Sequence, residues 1–129
     1  MTEAITLTIP GEQEYFGVAH LVLGGLASRH ELTIESFEDL LLALDGLLDR
    51  TQGASSVTLS VRVAEDEIQA EVGPFAAGSV RAELERDADA GIGLRRLLDT
   101  VVDDFVVRDA EAGDWVRLTK SVRSADGSP

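Results

Sequence analysis

Residues 57–72 read VTLSVRVAEDEIQAEV, and this segment decides the class of fold. Aliphatic residues alternate with polar residues along both halves, which is the period of two that a half-buried strand shows. Glu65 and Asp66 separate the two halves, so we expect two antiparallel strands joined by a short turn. An antiparallel sheet with one face packed on the core is therefore the centre of the predicted fold.

Upstream of the hairpin, the sequence predicts a strand and then a helix. Apolar and polar residues alternate over residues 5–9, and Pro10 and Gly11 end the pattern. From Glu12 to Arg29, apolar residues recur every three or four positions, which is typical of an amphipathic helix. Its apolar stripe, which serves either the core or an interface, consists of the following residues: Tyr15, Val18, Ala19, Val22 and Leu26.

A second helix is predicted between the first helix and the hairpin. Thr33 is a residue type that caps helix N-termini, and Glu35 in the first turn suits the positive end of the helix dipole. The helical pattern ends between Arg50 and Gly53. A broad apolar stripe runs down this helix: Phe37, Leu40, Leu41, Leu44, Leu47 and Leu48.

Downstream of the hairpin, the pattern is less regular. Gly73-Pro74 predicts the end of the strand, and residues 75–90 carry a mixed pattern that we interpret as a mobile surface loop. Within that loop, residues 79–86 are a candidate short helix. Gly91 then opens a third helix, whose apolar residues lie at helical spacing: Leu97, Leu98, Val101 and Val102.

Two further strands, over residues 105–107 and 115–122, complete the predicted fold. The order strand, helix, helix, two strands, helix, two strands indicates one α+β domain over residues 1–123. We expect a two-layer sandwich, in which about three helices cover one face of a mostly antiparallel sheet. The polar tail, residues 124–129, is expected to be disordered.

The composition argues against several classes of function. Eleven basic and 24 acidic residues give a net charge of -13, which disfavours nucleic acid and anionic membranes as partners. The charge favours a basic partner, or it serves solubility alone. With no cysteine in the chain, thiolate metal sites and cysteine nucleophiles are excluded. No signal peptide or membrane-spanning segment is recognised, so we expect a cytoplasmic protein.

Residues 38–50, EDLLLALDGLLDR, resemble the second helix of the anti-sigma-factor serine kinases, within the histidine-kinase-like ATPase superfamily. The resemblance covers nearly the whole chain, including residues 7–10 of the first strand and residues 27–29 of the first helix. It implies the histidine kinase-like ATPase fold and a bacterial regulator of transcription that acts by partner switching. The implied partners are a sigma factor and an anti-anti-sigma protein, and the family's members often form homodimers.

Two positions of this helix depart from the family's pattern. The family carries a general-base glutamate and, four residues later, a magnesium-binding asparagine, where this chain has Gly46 and Arg50. Residues four apart lie on the same face of a helix. Gly46 has no side chain, and Arg50 is a permanent cation that repels magnesium and can only neutralise an anion. The resemblance thus implies a pseudokinase with no catalytic residue and no metal ligand.

The first glycine box of the family is altered in this chain. Residues 71–75, EVGPF, resemble the segment in which an acidic residue contacts adenine and glycines admit the nucleotide. Glu71 can accept a hydrogen bond, but a solvent-facing strand position explains it equally well. Phe75 stands where the family has a glycine, and we expect its ring to fill space that an adenine or ribose would need.

The second glycine box is better preserved. Gly91, Gly93 and Leu94 resemble the family's Gly-x-Gly-Leu segment, where free N–H groups at a helix start can approach phosphate. Asp87 and Asp89 come shortly before it and would repel a triphosphate. The last box of the family is reduced to a segment beginning at residue 113, GDWVRL.

These patterns favour a non-catalytic regulatory protein that acts by protein–protein contact, with no cofactor expected. The alternative is a domain that binds ATP or ADP without phosphotransfer, through the residues that the boxes retain: Glu71, Gly73, Gly91, Gly93 and Leu94. An active serine kinase and an unrelated acidic α+β domain are the remaining hypotheses.

Overall fold

The computed structural model describes residues 3–64, 66–90 and 93–121. Its strands are β1 (Glu3–Ile9), β2 (Val57–Val63), β3 (Glu67–Phe75), β4 (Asp104–Ala110) and β5 (Gly113–Ser121). Its α-helices are α1 (Phe16–Arg29), α2 (Ile34–Asp49), α3 (Ser79–Ala90) and α4 (Leu94–Val101). The strands form one five-stranded sheet in the order β1-β2-β3-β5-β4, and each neighbouring pair is antiparallel.

The sheet and the helices pack as two layers, which confirms the predicted α+β sandwich. Alternate side chains of the central strands are buried and meet the helices in one apolar core: Val57, Leu59, Val61, Val63, Ile68, Ala70, Val72, Val116 and Leu118. Residues between them, such as Thr58, Ser60 and Gln69, lie on the opposite face of the sheet and are only partly buried. The alternation of the hairpin therefore predicted both the strands and the face that packs on the core.

Helix α2 begins and ends as the sequence predicts. The backbone N–H of Ser36 donates to Oγ1 of Thr33 over 3.1 Å, so Thr33 is the N-cap, and the helix ends at Asp49. Its buried face contains the expected leucines and two small residues: Leu40, Ala43, Leu44, Gly46, Leu47 and Leu48. This face places α2 across the core, between α1 and α4.

The apolar stripe predicted for α1 is partly buried, since Ala19 and Leu26 belong to the core and Val22 packs against it. Tyr15 and Val18 are 40% and 39% exposed, while these residues are buried: Phe16, Ala19, Leu23, Leu26 and Ala27. A 3₁₀ turn over Gln13–Tyr15 precedes the α-helix. Because α1 has apolar residues on nearly every side, its periodicity alone did not distinguish the buried face from its neighbour.

Strand β3 does not end at Gly73-Pro74, which corrects the prediction. It continues to Phe75, which pairs with Asp114 of β5, and its register with β5 shifts between Val72 and Phe75. Proline donates no hydrogen bond, so a strand tolerates it best where the ladder is already irregular.

Residues 79–90 form helix α3, which confirms the candidate helix over residues 79–86 and shows that the loop interpretation of this stretch was wrong. Val80 and Leu84, one turn apart, are 2% and 5% exposed and belong to the core. Two apolar anchors among charged residues give a weak periodic signal, which explains why the helix was underestimated. No helix in the described part of the chain is long and apolar enough to cross a bilayer.

Candidate functional site

Gly46 is buried where α2 packs against α4. A Cβ atom built on Gly46 would lie 2.7 Å from Cδ2 of Leu97 and 3.7 Å from Cδ1 of Leu94. Leu94 is completely buried, and Leu97 packs against the core beside it. The space next to position 46, where the family resemblance places the general base, is therefore filled by apolar side chains of α4.

Arg50 lies at the C-terminal end of α2 and binds Glu83 of α3. Its Nε lies 3.0 and 2.8 Å from the two carboxylate oxygens of Glu83, and its Nη2 donates to one of them over 2.6 Å. Its Nη1 donates to the carbonyl oxygen of Gly46 over 2.8 Å. Arg50 thus neutralises a carboxylate of its own chain, and this ion pair connects α2 to α3.

We expect the Arg50–Glu83 pair to stabilise the fold by about 0.5–1 kcal/mol, because it is multidentate but 33% and 23% exposed. A double-mutant cycle with Arg50→Met and Glu83→Gln measures this coupling by urea unfolding. The coupling should shrink in high salt, and each single variant should accelerate amide exchange in α3.

The pair formed by Arg81 and Asp109 is the matched control, since its side chains are 46% and 73% exposed. A cycle with Arg81→Met and Asp109→Asn should give a smaller coupling. Equal coupling energies for the two pairs would show that the Arg50–Glu83 pair stabilises the fold no more than an exposed surface ion pair does.

Glu71 lies on the sheet face opposite the helices, with Ser60 and Arg117 as its partners across the ladders. Its carboxylate accepts hydrogen bonds from Nε and Nη2 of Arg108, both over 3.1 Å, and lies 3.5 Å from Nε of Arg117. These contacts raise the pKa of Arg108, first through the hydrogen bond and then through the charge of Glu71. The structure therefore does not bring Glu71 together with the start of α4.

Gly73 and Phe75 are enclosed by side chains of this chain. A Cβ atom on Gly73 would lie 2.6 Å from Cδ2 of Trp115, so the indole ring covers that position. Phe75 is 4% exposed and belongs to the main core. Of the first glycine box, Glu71 thus faces outward, whereas Gly73 and Phe75 are buried.

The second glycine box is described in part, at Gly93 and Leu94. Gly93 is the N-cap of α4, and its carbonyl oxygen accepts from the N–H of Leu97 over 3.0 Å. Its φ of 176° is extended backbone, which any residue can adopt. Gly91 lies outside the described residues, as do the side chains of Asp87 and Asp89.

The partner of Arg50 was not identified from the sequence, nor was the contact that Asp114 of the last box makes. Glu83 was missed because its contact with Arg50 joins two separate helices. The one signal in the sequence was that an arginine in place of a metal ligand needs an anionic partner. Asp114 is 3% exposed, and its Oδ2 accepts from the N–H of Gly78 over 2.8 Å, just before α3. Across the ranges that the structure describes, no three His, Asp or Glu side chains are grouped closely enough to hold a metal ion.

The five-stranded antiparallel sheet with helices packed on one face is the architecture of the histidine-kinase-like ATPase fold. The chain is 30% identical to the serine-protein kinase RsbW of Bacillus velezensis, over 90% of this chain and 84% of the relative. The RsbW proteins of Listeria innocua and Bacillus subtilis are 28% and 27% identical, over 95% and 90% of this chain and 89% and 84% of their own lengths. No protein-family model matches the chain. The chain therefore belongs to the RsbW-like family of anti-sigma-factor serine kinases.

Proposed function

We propose that this chain is a non-catalytic, anti-sigma-factor-like regulator that acts by protein–protein binding in a partner-switching pathway. Its partner is a sigma factor or an anti-anti-sigma protein. The observation that carries the proposal is the occupied site on α2, where Leu97 lies against Gly46 and Glu83 binds Arg50. The relatives are named as serine-protein kinases, and we propose that this member keeps their fold without their chemistry.

Phosphoryl transfer to serine needs a group that orients the attacking hydroxyl and a cation that bridges the phosphates. Gly46 supplies no proton acceptor, and Arg50 cannot accept a proton or ligate a metal. Glu83 is a carboxylate in contact with Arg50, but the hydrogen bonds from Arg50 occupy its oxygens. Loss of a general base alone commonly reduces the rate by about 10²–10⁴.

We expect isothermal titration calorimetry with ATP and ADP, with and without magnesium, to give no binding signal up to about 1 mM nucleotide. The expected reason is that leucines of α4 fill the space beside Gly46 and that Phe75 and Trp115 enclose the first box. A phosphotransfer assay with labelled ATP and the host's candidate anti-anti-sigma proteins should give no labelled product. The RsbW kinase of Bacillus subtilis serves as the active control.

The two assays separate the remaining hypotheses. Micromolar nucleotide binding without phosphotransfer would favour the ATP- or ADP-binding regulatory domain, and Arg50 predicts that such binding would not depend on magnesium. Labelled product above the background of a protein-free reaction would contradict the non-catalytic function.

The proposal also includes a single domain over residues 1–123, a cytoplasmic location and a homodimer. The homodimer is supported by an apolar groove beside the open edge of β1, lined by residues that include Ile5, Leu21 and Val22. Leu21 is 77% exposed in this groove, so a second copy could bury it.

A further inference from the structure

The solvent side of α2 carries two exposed apolar side chains. Ile34 is 75% exposed and Leu42 is 52% exposed. They are eight positions apart, which places them on the same side of the helix, about 80° apart around its axis and about 12 Å apart along it. Glu38 lies midway between them and is also exposed.

Carboxylates surround this apolar pair. The chain from residue 31 to residue 49 contains no lysine or arginine, and it contains these acidic residues: Glu31, Glu35, Glu38, Asp39, Asp45 and Asp49. Asp39 binds Nζ of Lys120 over 2.9 Å, and Asp45 contacts His20. The other four are exposed. The result is a pair of apolar side chains within a negative surface.

The fold does not require apolar side chains at these two positions. The core residues of α2 lie on the opposite side of the helix, so Ile34 and Leu42 leave most of their surface in water. Single exposed apolar residues are common on proteins. Two of them on one side of a helix, with acidic residues on both flanks, match the pattern by which a helix surface binds a partner helix.

We propose that the α2 face, defined as Ile34, Glu35, Glu38, Leu42 and Asp49, docks a basic amphipathic helix of a partner protein. Apolar residues seven or eight apart on the partner pack on Ile34 and Leu42, while its lysines or arginines pair with the surrounding carboxylates. A second copy of this chain is the wrong occupant of this face, because its own α2 face would bring the same carboxylates against it. The inference rests on the proposed function, since it names the partner surface of a regulator that acts by contact.

The test uses the full chain and three labelled synthetic peptides in fluorescence anisotropy. The first peptide is a helix with leucines on one face and lysines and arginines on the other. The second has the same composition as the first in scrambled order, without an apolar face. The third is the first peptide with glutamate in place of each lysine and arginine. The first peptide should bind at least about tenfold more tightly than the other two, and its affinity should fall as salt is raised.

Substitutions on the α2 face should weaken binding of the first peptide while the protein stays folded. We expect Ile34→Ala with Leu42→Ala to reduce affinity at least about fivefold, and Glu35→Gln with Glu38→Gln to reduce both affinity and its salt dependence. Val106→Ala and Glu14→Gln are the controls, because both residues are exposed and lie outside the face. Circular dichroism of each variant verifies that α2 is intact.

Equal loss of binding in face and control variants, or equal binding of the ordered and scrambled basic peptides, would overturn the inference. Either result would leave attraction by net charge as the explanation. The readout involves no nucleotide, so its failure leaves the non-catalytic function standing. Phosphotransfer activity, in contrast, would overturn the proposed function without changing the peptide result.

Discussion

Gly46→Glu is expected to lower the free energy of unfolding by about 2–4 kcal/mol, although glutamate is the residue that the family resemblance places there. The new Cβ would lie 2.7 Å from Cδ2 of Leu97, and the carboxylate would be inserted between apolar side chains of α4. Overpacking and the burial of a polar group therefore act together. Urea unfolding followed by circular dichroism measures the change.

Gly46→Ala is the matched control for this substitution. Alanine adds the Cβ alone, and the atom it meets is the end of a flexible side chain that is only partly buried. A helix interior favours alanine over glycine by about 1 kcal/mol, which offsets the contact. We expect Gly46→Ala to change stability by less than about 1 kcal/mol.

The contact with Leu97 can be tested directly by a double-mutant cycle. In a Leu97→Ala background, Gly46→Glu should cost at least about 1 kcal/mol less, because the clashing atoms are absent. An undiminished cost in that background would show that Leu97 is not what fills the space beside position 46.

Gly113→Ala is expected to destabilise the protein by about 3–5 kcal/mol. Gly113 has a φ of +140°, and an added Cβ would lie 2.2 Å from the backbone oxygen of Phe75. Neither the strained backbone nor the contact with backbone can be relieved by a side-chain rotation. The fluorescence of Trp115, the one tryptophan of the chain, and circular dichroism can both follow the unfolding.

Gly53→Ala separates backbone strain from the steric clash. Gly53 also has a positive φ, +94°, but nothing lies within 4 Å of an added Cβ. Its substitution should cost only about 1 kcal/mol, from the left-handed conformation. Similar losses for the two variants would contradict the close approach of Gly113 to Phe75.

The elements that the sequence predicted well are those in which local chemistry and burial agree. The alternation of residues 57–72 and the cap at Thr33 each depend on neighbours in sequence, and both are present in the structure. Helix α3 was underestimated because only Val80 and Leu84 anchor it. The spacing of apolar residues in α1 left open whether its stripe serves the core or an interface, because apolar residues surround that helix.

In the candidate site, too, the local features were predicted from the sequence and the tertiary contacts were not. Helical spacing placed Gly46 and Arg50 on one face of α2, but it could not identify Glu83, which is 33 positions from Arg50 in sequence. The outward direction of Glu71 was available from the sequence, because its neighbours in the strand belong to the buried set. Residue spacing could not predict that α4 packs against α2, because this is a tertiary contact between helices that are far apart in sequence.

The counter-charge of Arg50 comes from Glu83, which belongs to the same polypeptide, so α3 is held against α2 without a diffusible ion. Under the proposed function, a regulator of this kind is insensitive to the ratio of ATP to ADP in the cell. Its output depends on the amounts of itself and of its partners. The activity of the regulator is then set by the synthesis and degradation of these proteins and not by energy metabolism.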